Sequence, residues 1–503
     1  MTNITRRIAA NPSYKWWVYS SVGAAAFITV SDQTGTTLAL PRIAHELNAD
    51  IPTVQWMYLI YTLFISALLL PMGRLSDMLG RRRIYTTGLV VFTCGAALAY
   101  FAGQLPLLLT AKAIQGVGVA MIQANGMALM AEAFPKKQRG TALGLYMAGI
   151  GTGAVSGPVI SGIMIDAWGW RSLYLFITLV GVAEIVLSTC VIRDLVSSRD
   201  RMGNSNGLKS FDWAGAILSA GTLVLFLLSM TYGHRLGWSH HLVLMVFSFA
   251  ALFLAGFIVR ELKSQDSMID LTLFKVPVFS LGIAARFLAF ISGSPVYFLM
   301  PFYVIQVLGV SASRAAFFML PAPIMMIITS PLSGRFSDKV GTKWPSVTGL
   351  CLWSTALIVF TRVEIDSNPA IVSVGMLLLG AGNGIFSSPN TAAVMTVAGD
   401  KHYGVVAALV NMVRTSGNLT GIAIGTTILV TTMTSMGFEP SLSSLMETNG
   451  AGIRTLESIE LMGSFVKGLH LVFILGVCFS TCAAVFTTFR PELRQHPPAT
   501  EPK

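Results

Sequence analysis

The sequence predicts an all-α membrane protein of fourteen transmembrane helices, arranged as two related six-helix bundles with two helices inserted between them. Three observations carry that prediction. The 503-residue chain is 53% hydrophobic and only 11% charged, too little polar surface for a water-soluble globule. Its apolar residues fall into fourteen runs long enough to cross ~30 Å of hydrocarbon at ~1.5 Å per residue. The stretch Leu70-Pro71-Met72-Gly73-Arg74-Leu75-Ser76-Asp77-Met78-Leu79-Gly80-Arg81-Arg82-Arg83 also has a weaker copy 261 residues on, Pro331 to Lys343, and each copy links two apolar runs.

The runs lie near residues 16–40, 53–72, 84–103, 106–131, 141–164, 172–192, 213–233, 241–259, 279–300, 315–333, 346–361, 370–397, 405–431 and 468–489. In lipid every backbone donor and acceptor must be paired within its segment, so each run reads as a helix; the alternating ~10-residue strands of a membrane barrel are absent. Further repeats match Ala39-Leu40-Pro41 to Leu299-Met300-Pro301 and Gly116-Val117-Gly118 to Gly380-Ala381-Gly382, at offsets of 260 to 264. Spans 1–6 (residues 1–192) and 9–14 (278–503) therefore form parallel repeats about an axis along the membrane normal. Residues 193–277 hold a flexible polar lead, Arg193 to Asp212, and the inserted spans 7 and 8.

The formal charge of +11 does not imply a nucleic-acid partner, because the basic residues sit in short loops beside apolar spans. Arg6, Arg7 and Lys15, then Arg74 and Arg81 to Arg83, then Lys136, Lys137 and Arg139 mark one side, cytoplasmic by the positive-inside rule, so both termini lie inside. The longest opposite loop, 432–467, carries Glu439, Glu447, Glu457 and Glu460 against Arg454 and Lys467. The polar, basic start of the chain and the length of the first run predict a retained first span rather than a cleaved signal. Five cysteines, Cys94, Cys190, Cys351, Cys478 and Cys482, lie in apolar runs without metal-ligand spacing and read as core thiols. Zinc-protease, nucleophile-elbow and phosphate-loop patterns are missing, so the chain reads as a non-enzyme without cofactor or metal, and any active transport draws on an ion gradient.

Two cytoplasmic Gly-Arg-x-Ser-Asp-x-x-Gly turns in matching halves point to a parallel-repeat secondary transporter. These residues resemble the major facilitator superfamily over nearly the whole chain. That resemblance implies a gating role for Gly73, Arg74, Asp77, Gly80, Arg81 and Arg82, which would lock the halves together at the cytoplasmic face in one access state. The plainer alternative is a topological anchor. The second copy lacks the triple arginine and is assigned a structural duty.

Span 5 repeats small residues at Gly149, Gly153, Gly157 and Ser161 around Pro158, and resembles the antiporter motif of proton-coupled exporters at Gly153, Gly157, Pro158 and Gly162. A bend and a close inter-bundle contact are expected there; ordinary small-residue packing is the alternative.

Five charged residues lie within the spans: Asp32, Lys112, Glu184, Arg286 and Arg414. Each costs several kcal/mol, ~2.5–3.5 on insertion scales, unless paired, hydrated or able to snorkel. Asp32 opens Asp32-Gln33-Thr34-Gly35-Thr36-Thr37-Leu38-Ala39-Leu40-Pro41-Arg42-Ile43, which resembles a signature of the fourteen-spanner drug:proton antiporters, with Thr37-Leu38 where Asn-Val is usual. Lys112 stands where that family has arginine, and lysine, unlike arginine, can lose its proton when desolvated. Asp32 and Lys112 share the outer half and are expected to pair, either for proton coupling or as a fixed structural ion pair. Glu184 and Arg286 fall in the cytoplasmic third, where Arg286 can snorkel. Arg414, with Trp56, Tyr61, Gln123, Asn125, Asn383, Asn390 and Asn411, is expected to line a polar cavity.

The resulting expectation is a proton-coupled multidrug exporter of the cell (inner) membrane. Its partners are a small amphipathic substrate, protons and the lipid bilayer, with no nucleic acid. The alternatives are a dedicated exporter of a metabolite or lipid-like molecule, or a membrane sensor on a transporter scaffold.

Overall fold

The computed structural model describes residues 13–47, 56–192, 211–263, 269–310, 312–399, 403–438 and 456–492. The expectations resting on Arg6, Arg7, most of the polar lead (193–210) and loop residues 439–455, with Glu439, Glu447 and Arg454, lie outside the described residues. Among the described residues fourteen α-helices have 18 residues or more: α1 Tyr14–Glu46, α2 Trp56–Leu79, α3 Arg81–Tyr100, α4 Leu105–Ala133, α5 Arg139–Trp168, α6 Arg171–Val191, α7 Trp213–Leu236, α8 His241–Lys263, α9 Pro277–Phe302, α10 Pro321–Val340, α11 Lys343–Phe360, α12 Ala370–Ala398, α13 Tyr403–Ser435 and α14 Leu456–Phe489. Each overlaps one predicted run, in order. Ten helical segments among the described residues are long and apolar enough to cross a membrane, so the chain is a multi-pass membrane protein.

Three boundaries differ from expectation. The repeated motifs are not turns: α2 continues to Leu79 and α10 to Val340, and only Gly80 (φ 103°) and Gly341 (φ 99°) adopt the left-handed backbone that breaks the helix. The tenth run splits at Leu320 into a short helix, Ala312–Met319, and α10. The last long loop is shorter than 432–467, because α14 begins at Leu456. Its early turns bury Leu461, Met462, Phe465 and Val466 while Glu460 and Lys467 face outward, an amphipathic pattern that dilutes hydropathy without breaking the helix.

The chain forms two compact units. Unit 1 comprises Met1–Lys136, Leu145–Leu271 and Ala398–Thr415; unit 2 comprises Lys137–Gly144, Thr272–Val397 and Ser416–Lys503. The start of α5 thus belongs to unit 2 and the start of α13 to unit 1. In unit 1, α6 packs on α1 and α3; in unit 2, α14 packs on α9 and α11. Glycine crossings repeat as well. Gly118 fits against the Gly88 carbonyl and the Phe92 backbone, and Gly382 against the Gly349 carbonyl and the Trp353 backbone. Gly116 approaches the Tyr61 carbonyl as Gly380 approaches that of Ala322. A Cβ at any of these four glycines would strike backbone, so the spacing in sequence fixes how closely these helices cross. In unit 1, α7 pairs with α8 and packs on α2.

The cysteines do not sit in the core. Cys94, Cys351, Cys478 and Cys482 are exposed and Cys190 is half-buried. A face turned to lipid is as apolar as one turned to protein, so hydropathy alone does not separate them.

Candidate functional site

Helices α1 and α4 bring Asp32 and Lys112 together in unit 1. Lys112 Nζ donates to Asp32 Oδ1 at 2.9 Å and Oδ2 at 3.1 Å, and to Thr36 Oγ1 at 2.9 Å. Both charged side chains are fully buried. The ammonium also lies 5.3 Å from the Tyr61 ring and 4.8 Å from the Tyr174 ring, so aromatic faces complete its shell. Tyr61, predicted as a cavity residue, is buried and donates its hydroxyl to the Thr29 carbonyl at 3.3 Å. The close approach of α2 to α4 at Gly116 helps seat that ring over Lys112. The pair is confined to one half: at the repeat offsets, Asp32 corresponds to Ser292 and Lys112 to Met376. The carboxylate and the ammonium compensate each other's charge, and a hydroxyl and two aromatic faces complete the enclosure. Thr36 and Tyr174 were missed, because neutral residues on apolar runs carry no signal of their own.

A second polar group in unit 1 surrounds Arg414, which is half-buried and flanked by the Tyr58 and Tyr146 hydroxyls. Tyr58 reaches toward Gln33, the neighbour of Asp32. Asn411 donates to the Gln123 carbonyl at 3.0 Å, and the Gln123 side chain is half-buried. Arg414, Asn411 and Gln123 are therefore neighbours of one polar patch. The other cavity candidates separate from it. Trp56 packs its ring 6.3 Å from Tyr232 of α7, which makes it a packing residue. Asn125 is fully buried and bonds back to the Met121 carbonyl within its own helix. In unit 2, Asn383 accepts from Ser387 at 2.7 Å beside Tyr297, whereas Asn390 is fully buried, bonded to the Gly282 carbonyl at 3.1 Å and to Arg490 at 3.0 Å.

The repeated motif performs the same geometry twice. In unit 1, Asp77 accepts from the amides of Gly404 and Val405, both at 3.1 Å, so its carboxylate caps the N-terminus of α13. Arg81 braces it at 2.7 Å, pairs with Glu132 and lies over the Tyr403 ring, while Arg82 donates to the Thr189 carbonyl at 2.7 Å. Gly73 lets α2 meet Gly404 and Ala408, and Arg74 is half-buried. In unit 2, Asp338 accepts from the Gly140 amide at 2.8 Å and from the Thr141 amide and hydroxyl at 2.9 and 2.7 Å, capping α5. Gly334 packs on the Gly140 carbonyl. The weaker copy therefore keeps the capping contact without the triple arginine. Arg490 from the end of α14 reaches Thr342, the residue aligned with Arg81, at 3.1 Å, and burial holds its guanidinium down at about 10.

The small-residue face of α5 meets α1 in the same unit, which corrects the expected inter-bundle contact. Gly149 lies over Gly23, Gly153 over the Phe27 carbonyl and Gly157 over Ser31 and Thr34; Ser161, fully buried, fills the space left by Gly35. Pro158 lies inside the helix, and Gly162 has no neighbour within 4 Å, so it takes no part in the contact. The partner is α1 because α1 offers a matching row of small residues, Gly23, Ser31 and Gly35. A Cβ at Gly157 would stand 2.9 Å from Ser31 Cα. We expect Gly157→Leu to destabilise the protein by about 1–3 kcal/mol or more, read as a lower thermal midpoint in detergent, and Gly162→Leu to leave it unchanged. Equal midpoints for the two variants would remove the contact from the argument.

Arg286 does not snorkel. It is fully buried, donates to Thr391 Oγ1 at 2.9 Å and lies 5.3 Å from the Phe290 ring. Glu184 is likewise buried, against Ser21 of α1.

Residues 22–422 match the family model described as Major Facilitator Superfamily. The chain belongs to the Major Facilitator Superfamily. It is 30% identical over 382 residues to the riboflavin transporter RibZ of Clostridioides difficile (strain 630), covering 76% of this chain and 81% of that one. It is 28% identical over 423 residues to the multidrug resistance protein Stp of Mycobacterium tuberculosis (strain CDC 1551 / Oshkosh), covering 84% and 77%. Among solved structures it resembles the proton:xylose symporter XylE, with a TM-score of 0.65 at 14% identity over 96% of this chain and 97% of that one, a likeness of fold alone. As a major facilitator protein it is a membrane transporter of small molecules.

Proposed function

We propose that this protein is a proton-coupled exporter of amphipathic organic compounds, a member of the fourteen-spanner drug:proton antiporters. In this reading it works by alternating access of its two six-helix halves, α1–α6 and α9–α14, with α7 and α8 outside the central cavity. All fourteen long helices cross the cell (inner) membrane, and both termini are cytoplasmic, in keeping with the Lys and Arg of the α2–α3 and α4–α5 connections. The observation that carries the reading is the buried Asp32–Lys112 pair, a titratable carboxylate present in only one of the repeated halves. The multidrug relative supports export. Proton binding to Asp32 from outside releases Lys112, and a cationic substrate competes with the proton for the same carboxylate. Arg414, Asn411 and Gln123 form part of the substrate wall.

The test is accumulation of ethidium, and separately of riboflavin, in cells with and without the protein, before and after the proton gradient is collapsed. Lower ethidium accumulation that disappears with the gradient is the expected result. Unchanged accumulation of both compounds would overturn export. The riboflavin relative at 30% identity favours one second reading, a dedicated transporter of a heterocyclic metabolite, which gives a riboflavin response without an ethidium response.

A further inference from the structure

The mechanism above leaves unused Glu184, a buried carboxyl within a predicted span. Glu184 of α6 is 3% exposed, and among the described residues its hydrogen-bond partner is the Ser21 hydroxyl of α1, at 2.5 Å. It lies seven residues from the end of α6 and Ser21 seven from the start of α1, so the contact sits ~10 Å in from those two helix ends. Asp32 lies eleven residues beyond Ser21 on the same helix, ~16 Å further along.

The surroundings of the two carboxyls differ in kind. Asp32 meets an ammonium. Among the described residues the groups facing Glu184 are neutral: Ser21 on α1, Tyr85 on α3, whose buried hydroxyl has no hydrogen-bond partner among them, and Ser188 one turn on in α6, which is bonded to Thr86 of α3 at 3.1 Å. Tyr146 of α5 lies beyond Tyr85. Of the arginines that open α3, Arg82 is directed to the Thr189 carbonyl and Arg81 to Asp77 and Glu132. An ionised carboxylate in such a setting carries an uncompensated desolvation cost of several kcal/mol, which protonation removes. The free hydroxyl of Tyr85 supplies a further polar group for a carboxylic acid, and Ser21 can act as donor or acceptor as the proton comes and goes.

We propose that Glu184 is a second proton-binding site, separate from Asp32, which holds its proton while it is buried between α1 and α6 and releases it when water reaches the carboxyl. The step balances as loss of one proton from the neutral acid to water, leaving a carboxylate. It gives the first half two titratable carboxyls at different depths along α1, Asp32 on that helix and Glu184 of α6 bonded to its Ser21. The proposal deepens the proton-coupled reading, but its test does not depend on transport.

The experiment is infrared difference spectroscopy of the purified full-length protein, titrated with acid and base alone. In the parent protein a carboxylic acid C=O band is expected at neutral pH and is lost on alkalinisation. Glu184→Gln should abolish that band, and Asp32→Asn should retain it. A Glu184→Gln spectrum that keeps the parental band overturns the proposal. If Glu184→Gln does not fold, Ser21→Ala decides: without the hydroxyl that stabilises the carboxylate, loss of the band should move to higher pH, and an unmoved transition overturns the assignment. Failure of gradient-driven export with an intact Glu184 band would discard the coupling reading and leave this site standing.

Discussion

Asp32→Asn is expected to abolish gradient-driven export while the protein still reaches the membrane. The substitution keeps size and removes the proton site, leaving the Lys112 ammonium between Thr36 and the Tyr61 and Tyr174 rings. An isolated buried ammonium is costly, so this variant should lose thermal stability as well as export. Removing the other partner has a different signature. Lys112→Met leaves Asp32 without its cation, a loss of about 3–5 kcal/mol if the carboxylate stayed ionised. Export should fail even though the carboxyl is present, because its counter-charge is gone. Lys112→Arg keeps a counter-charge and should retain more export than Lys112→Met. The double variant Asp32→Asn/Lys112→Met should recover the thermal stability lost by either single change and recover no coupling. Export and proton uptake in proteoliposomes, with thermal midpoints in detergent, read all four. A double variant less stable than both singles would show that the two groups do not act as a pair, and parental proton uptake by Asp32→Asn would move coupling elsewhere.

The pairing of Asp32 with Lys112 is legible in the sequence. Charged residues are so rare in the spans that Asp32 and Lys112 stand out by themselves, and opposite helix directions place them at like depth. The order of the helices was legible for a similar reason: hydrocarbon imposes a length and forbids loops, so fourteen runs became fourteen helices. What the residues did not disclose is direction around each helix axis. Hydropathy is the same toward lipid as toward protein, so it separates neither exposed cysteines from core thiols nor Trp56, packed on Tyr232, and the buried Asn125 from a cavity wall. The glycines of α5 announced a close contact and could not say with whom; the answer lies in the small residues of α1. Gly73 and Gly334 read as turn glycines, but they are contact glycines within helices, and the turns belong to Gly80 and Gly341. The second motif copy was undervalued because its missing arginines drew attention away from Asp338, the residue that makes the contact.

That recurrence leads to the second large effect. Asp77 and Asp338 each place a carboxylate on the first amides of a helix from the opposite half of the sequence, α13 and α5 respectively. A charge-assisted hydrogen bond contributes about 1.5–3 kcal/mol, and the helix dipole adds about 0.3–1 kcal/mol. Each contact should therefore bias the conformational equilibrium by roughly 2–4 kcal/mol, about thirty- to a thousand-fold. Asp77→Lys replaces the cap with a cation at the positive end of α13, which should open this face and cut export by at least about tenfold. Asp338→Lys should do the same through α5, although its motif copy lacks the triple arginine. Expression should be normal in both, because the contacts hold helix ends and leave the packed interiors of the units intact. The direct measurement is the labelling rate of a cysteine at Asn411, two turns into α13, by a membrane-impermeant thiol reagent applied from the cytoplasmic side. Faster labelling in Asp77→Lys and Asp338→Lys, and faster still in the double variant, is the expected order. Parental labelling and export in Asp338→Lys would confine gating to the first copy; the same result in Asp77→Lys would leave both contacts as architecture without a role in switching.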